Sequence, residues 1–173
     1  MQNRFFQNTP KIQKTFLLTT LVWVVLSIFA SIPFALGYTN ANLVDAIFEA
    51  VSGITTTGST VFSELDKMPK GLLLWRGILQ WLGGIGIIIV AMVFLPELRV
   101  GGMQIFRAEG FDTLGKILPR ATTIAFQISI IYVGITIACG LAYVLAGMSF
   151  FDAVVHSFTT VATGGFSNYD GSF

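Results

Sequence analysis

Two short segments, TTTGST at residues 55–60 and ATGGFS at residues 162–167, carry residue types suited to holding a cation without a formal charge. An ion leaving water needs oxygen ligands in place of its hydration shell, and uncharged carbonyls supply them without trapping it. Glycine lets the backbone adopt conformations closed to other residues and approach an axis closely, and threonine adds a hydroxyl oxygen. The same residues near a helix end also mark an ordinary turn or a close helix contact, so a single TTTG run decides little. What weighs toward ion binding is that the pattern occurs twice.

The stretch LVDAIFEAVSGITTTGSTVF from Leu43 aligns without a gap on FFDAVVHSFTTVATGGFSNY from Phe150, at a spacing of 107 residues. Asp45 falls on Asp152, Thr56 on Thr163, Gly58 on Gly165 and Thr60 on Ser167, and Thr15 falls on Thr122 at the same spacing. An internal repeat of this size sets the architecture. Each copy opens with a capping side chain, Asn42 or Ser149, followed three residues later by a carboxylate, Asp45 or Asp152. That is a loose capping box at a positive helix start, and it predicts short helices at about 43–54 and 150–161. Each helix runs into one of the Thr/Gly segments, about 55–60 and 162–167. A helix of three turns is too short to cross a bilayer. Irregular backbone at membrane depth is tolerated only where it is buried in protein or lines a water-filled cavity. The pattern therefore predicts re-entrant pore loops, with the negative end of each short helix turned toward the ion.

The elements around them are apolar. Hydrophobic residues make up 54% of the 173 residues and charged residues 11%, against about 25% charged in soluble domains, and the mean hydropathy is +0.77. Thr15 to Leu36 is uncharged over 22 residues, longer than a signal-peptide core and long enough to span. Gly77 to Leu95 is a second uncharged stretch, with Trp75 and Arg76 at its outer end where the cation can snorkel to the interface. Ala121 to Phe151 is a third, with a turn at Ala146 and Gly147. The expected fold is an all-α polytopic membrane protein of repeated helix, re-entrant loop, helix units, potassium-channel-like. Its parts are a cytoplasmic segment 1–14, a first unit 15–95, a cytoplasmic linker 96–120 and an incomplete second unit 121–173.

Orientation follows from the cations. Arg4, Lys11, Lys14, Arg99, Arg107, Lys116 and Arg120 lie on one side. On the other, Lys67, Lys70 and Arg76 face Asp45, Glu49, Glu64, Asp66, Asp152 and Asp170. The positive-inside bias puts the N-terminus in the cytoplasm and the Thr/Gly loops outside, where an acidic vestibule concentrates cations over about 8 Å at physiological salt. A net charge of +1 with no long basic run gives no field for nucleic acid, and the single Cys139 supports neither a disulfide framework nor a thiolate metal site. Gly83, Gly84 and Gly86 lack a preceding strand and the spacing of a dinucleotide loop, so they read as helix-packing residues. His156 aligns with Glu49 and reads as a packing or hydrogen-bonding residue, since no second metal ligand accompanies it. Arg99, Arg107 and Glu109 read as solvated or lipid-facing residues, with contact to a regulator as the minority reading.

Three runs together, TTTGST, LQWLGGIGIIIVAMVFLPELRVGGMQIFRAEG from Leu79 to Gly110, and HSFTTVATGGFS from His156 to Ser167, resemble the transmembrane subunit of bacterial Trk-type potassium uptake systems, in the Trk/Ktr/HKT superfamily. The resemblance covers the chain from about Thr15 onward. It implies four such units around one pore, each with a short filter centred on one glycine. The matching positions are Thr56, Thr57, Gly58 and Ser59, and Thr163, Gly164, Gly165 and Phe166, whose carbonyls would bind potassium as the transported substrate, with no organic cofactor. It also implies a place in the bacterial inner membrane among membrane lipid, a homodimer of full-length subunits, and a cytosolic nucleotide-binding regulatory subunit. The family pattern has two further units and an intramembrane gate that this sequence does not contain, so the chain reads as a fragment covering the first unit and most of the second. Three readings remain open: a potassium uptake pore, a sodium/potassium symporter of the same superfamily, and a non-conducting assembly or scaffold subunit. An enzyme is not expected, because no paired carboxylates, histidine cluster or activated serine stands near the apolar spans.

Overall fold

A computed structural model describes residues 5–37, 41–94 and 117–171. Five α-helices account for most of them: α1 (Phe5–Leu36), α2 (Leu43–Ile54), α3 (Lys70–Phe94), α4 (Ile117–Leu145) and α5 (Phe150–Val161). No strand occurs among the described residues. Three helices contain stretches long and apolar enough to cross a membrane, Phe16–Leu36 in α1, Lys70–Val90 in α3 and Thr123–Leu145 in α4. Their outward faces carry exposed Leu, Ile, Val and Phe, among them Leu18, Phe29, Phe126 and Ile137, as a lipid solvent allows and water does not.

The two short helices start where a side chain can satisfy the first free amides. Asn42 Oδ1 accepts the Asp45 N–H at 2.9 Å, and Ser149 Oγ accepts the Asp152 N–H at 3.2 Å. α3 lies between the halves of the repeat and packs against both α2 and α5. On one side Trp75 Nε1 donates to the Ala30 carbonyl of α1 at 3.0 Å. The core there is Ala30, Phe34, Ala46, Ala50 and Leu79, and the alanines one turn apart on α2 let it come close. On the other side Trp81 Nε1 donates to Thr136 Oγ1, and the Tyr132 hydroxyl donates to the Trp81 carbonyl, both at 3.0 Å, joining α3 to α4.

The glycines of α3 serve this packing. A Cβ at Gly83 would meet the carbonyl of Ile54, the last residue of α2, and one at Gly84 would lie 2.7 Å from the Tyr132 hydroxyl and 3.1 Å from Ala162 Cβ.

Three helices extend beyond the uncharged runs that mark them in the sequence. α1 begins at Phe5, ahead of the apolar stretch that opens at Thr15, and α4 begins at Ile117, inside the stretch assigned to the linker. α3 begins at Lys70 rather than Gly77, so Arg76 lies within a helix that could span and is 1% exposed. It does not snorkel, because a buried partner neutralises it. Arg4, Arg99, Arg107, Glu109 and Lys116 fall outside the described residues.

Candidate ion-binding site

The Thr/Gly segments leave α2 and α5 by the same backbone path. The N–H groups of Thr57 and Gly58 both donate to the Ser52 carbonyl, at 2.9 and 3.5 Å, and Thr56 N–H donates to Gly53. In the second copy Gly164 and Gly165 donate to Thr159, at 2.9 and 3.4 Å, and Thr163 donates to Thr160. Each bond sits at the equivalent residue of the repeat. Left-handed residues then alternate with ordinary ones, with φ of 57° at Thr56, 80° at Gly58, 58° at Thr163 and 75° at Gly165. A β-branched residue in that region is a genuine outlier, costing on the order of 1–2 kcal/mol. Strain of this kind persists only where the surroundings over-determine it, and it concentrates at ligand clamps.

The remaining expected positions are also placed. Thr57 Oγ1 is hydrogen-bonded to Thr55 Oγ1 at 2.8 Å, and the Ser59 carbonyl accepts the Ser52 hydroxyl. Gly164 lies against the Gln80 side-chain amide, and a Cβ at Gly58 would collide with the Gly164 carbonyl, so the two segments touch. Phe166 is buried and its N–H donates to Gln80 Oε1 at 3.1 Å.

Behind the segments stands a polar frame. Glu49 and Arg76, 0% and 1% exposed, pair at 2.8 Å through Arg76 Nε. Glu49 also accepts the Thr60 hydroxyl at 2.9 and 3.0 Å and the Val61 N–H at 3.2 Å. At the equivalent place His156 Nε2 accepts the Asn168 N–H at 3.2 Å. The same main-chain amide of each repeat is thus held by a carboxylate in one copy and an imidazole in the other. Asp152 accepts Asn168 Nδ2 and the Tyr169 hydroxyl, both at 2.8 Å, and that bond raises the Tyr169 phenol above its ordinary pKa. Asp170, beyond the second segment, accepts the N–H of Leu65, beyond the first, at 3.2 Å.

Two of the six carboxylates assigned to an open acidic vestibule therefore belong elsewhere, since Glu49 is sealed with Arg76 and Asp152 is buried in its own hydrogen bonds. The sequence reading puts Glu49 in the vestibule and Arg76 at the interface and gives Gln80 and Asn168 no role, whereas all four hold the two segments. The available signal was the presence of opposite charges within two apolar helices, where each demands a partner.

The cation transport protein family TrkH has a family model that matches residues 2–173. This chain belongs to that family. Among TrkH-family relatives, the Trk system potassium uptake protein TrkI of Halomonas elongata is 52% identical over 158 residues, covering 91% of this chain and 32% of the relative. The Trk system potassium uptake protein TrkH of Escherichia coli K12 is 45% identical over 173 residues, covering 98% of this chain and 36% of the relative. The crystal structure of the potassium transporter TrkH from Vibrio parahaemolyticus superposes with a TM-score of 0.77 at 44% identity, covering 90% of this chain and 30% of that one. The chain spans about a third of the length of these family members, and the likeness extends through both Thr/Gly segments.

Proposed function

We propose that the chain forms two of the filter-bearing segments of a potassium uptake pore in the bacterial inner membrane, and that it is not an enzyme. The carrying observation is the matched pair of left-handed residues, Thr56 with Gly58 and Thr163 with Gly165. Alternating handedness turns successive peptide planes the same way. With the N–H groups of Thr57 and Gly58, and of Gly164 and Gly165, gathered on helix-end carbonyls, the opposing carbonyls are left for a ligand. A row of uncharged oxygens replaces a hydration shell, and the C-terminal dipole of each short helix adds negative potential.

In this reading α2 and α5 are pore helices, and Thr56, Thr57, Gly58, Ser59, Thr163, Gly164, Gly165 and Phe166 contribute to the filter mainly through their carbonyls. The side chain of Phe166 has a second role, as packing. The family names of its relatives, Trk system potassium uptake proteins, support potassium as substrate. The distribution of Lys and Arg supports a cytoplasmic N-terminus with the filters opening outward. Resemblance to the family further suggests a homodimer of full-length subunits and a cytosolic nucleotide-binding partner.

The test is Gly58→Ala and Gly165→Ala in the full-length transporter, expressed in bacteria deficient in potassium uptake. Membrane insertion should persist while growth on low potassium and rubidium uptake fail. Normal uptake with lost assembly would instead identify a scaffold.

A further inference from the structure

We propose that Arg76 is a positioning residue that locks the two Thr/Gly segments into one unit and so sets ion selectivity, an inference that rests on reading those segments as filters. Arg76 Nη2 donates to Thr60 Oγ1 at 3.2 Å, and Arg76 Nη1 donates to the Ser167 carbonyl at 2.8 Å. Thr60 and Ser167 are equivalent residues of the repeat, each just beyond its Thr/Gly turn. One guanidinium from the first unit therefore holds the same point in both copies. Its third anchor is Glu49 at 2.8 Å, and its guanidinium carbon lies over the Phe166 ring, 4.2 Å from the centroid. One turn along α3, Gln80 accepts the Phe166 N–H and packs against Gly164, so the same helix face grips the second segment twice.

Stability alone is a weak reason for such a pair. A buried ion pair can often be exchanged for apolar residues of similar volume without loss. Apolar residues could not hold two backbone segments at a fixed separation. A planar fork does so, because its donors are rigidly disposed, whereas a lysine is a point charge on a flexible stem. Filter oxygens that are free to drift apart would fit a range of cation sizes, and oxygens held by a common brace would fit few.

The experiment uses the full-length transporter in liposomes, comparing Arg76→Lys with the neutral double variant Glu49→Gln/Arg76→Gln. The readouts are the ratio of rubidium to sodium uptake and the rise in melting temperature produced by potassium over sodium. Arg76→Lys keeps a cation beside Glu49 but loses the fork. It should keep the melting temperature measured without either ion, while the uptake ratio falls about tenfold, equivalent to about 1.4 kcal/mol. The potassium-specific rise in melting temperature should shrink with it. If Arg76→Lys does not accumulate, the double variant is read in the same way. An unchanged uptake ratio in whichever of the two is read overturns the brace. Gly58→Ala, measured alongside, separates the two ideas: lost rubidium uptake there with an unchanged ratio at Arg76 removes the brace alone, and normal rubidium uptake there removes the filter reading as well.

Discussion

The three glycines of the α3 sequence GGIG differ sharply in what surrounds them, and alanine at each gives different results. At Gly86 a Cβ would sit 3.7 Å from the Trp23 ring, an ordinary contact. Gly86→Ala should therefore gain most of the helix-propensity difference, about 1 kcal/mol. At Gly83 the new carbon would fall on the Ile54 carbonyl, 2.7 Å from its carbon and 3.1 Å from Cα. All three obstacles are backbone, so no rotamer change relieves them, and α2 must move off α3. Overpacking costs about 1–3 kcal/mol, occasionally more. A backbone obstacle belongs at the upper end of that range, leaving a net loss of about 2 kcal/mol after the propensity gain. The two variants should thus differ by about 3 kcal/mol. Because Ile54 leads directly into Thr56 and Gly58, Gly83→Ala should also impair rubidium uptake, and Gly86→Ala should not. Thermal unfolding of the detergent-purified full-length protein and uptake into liposomes measure both effects. Equal melting temperatures for Gly83→Ala and Gly86→Ala would refute the close approach of α2 to α3.

Tyr132→Phe removes the hydroxyl bonded to the Trp81 carbonyl at 3.0 Å and should cost about 1 kcal/mol. That hydroxyl is also the nearest obstacle to a Cβ at Gly84, so Gly84→Ala should be less damaging in the Tyr132→Phe background, a non-additivity that thermal unfolding of the two single variants and the double variant measures. Asn42→Ala and Ser149→Ala each remove a helix cap and should each cost about 1 kcal/mol. Ser149→Ala should cost more, since its hydroxyl also donates to the Asp152 carboxylate, and hydrogen exchange at the first turns of α2 and α5 reports the difference.

What depends on near neighbours is legible along the chain. Long uncharged runs required three helices able to span a bilayer, because a lipid solvent selects apolar side chains one residue at a time. Asn42 and Ser149 announced the two short helices, since a cap bonds to an amide only three residues away. The repeat showed that the halves are built alike. Tertiary structure alone decided what joins them. Arg76 meets Glu49 across 27 residues and Ser167 across 91, and no local pattern records such a meeting. A charge near the end of an apolar run reads as snorkelling until its buried partner is seen. The left-handed turns at Thr56 and Thr163 were equally hidden, because threonine avoids that conformation when its neighbours alone decide. Here the helix-end hydrogen bonds and the frame around Glu49, Arg76 and His156 impose it.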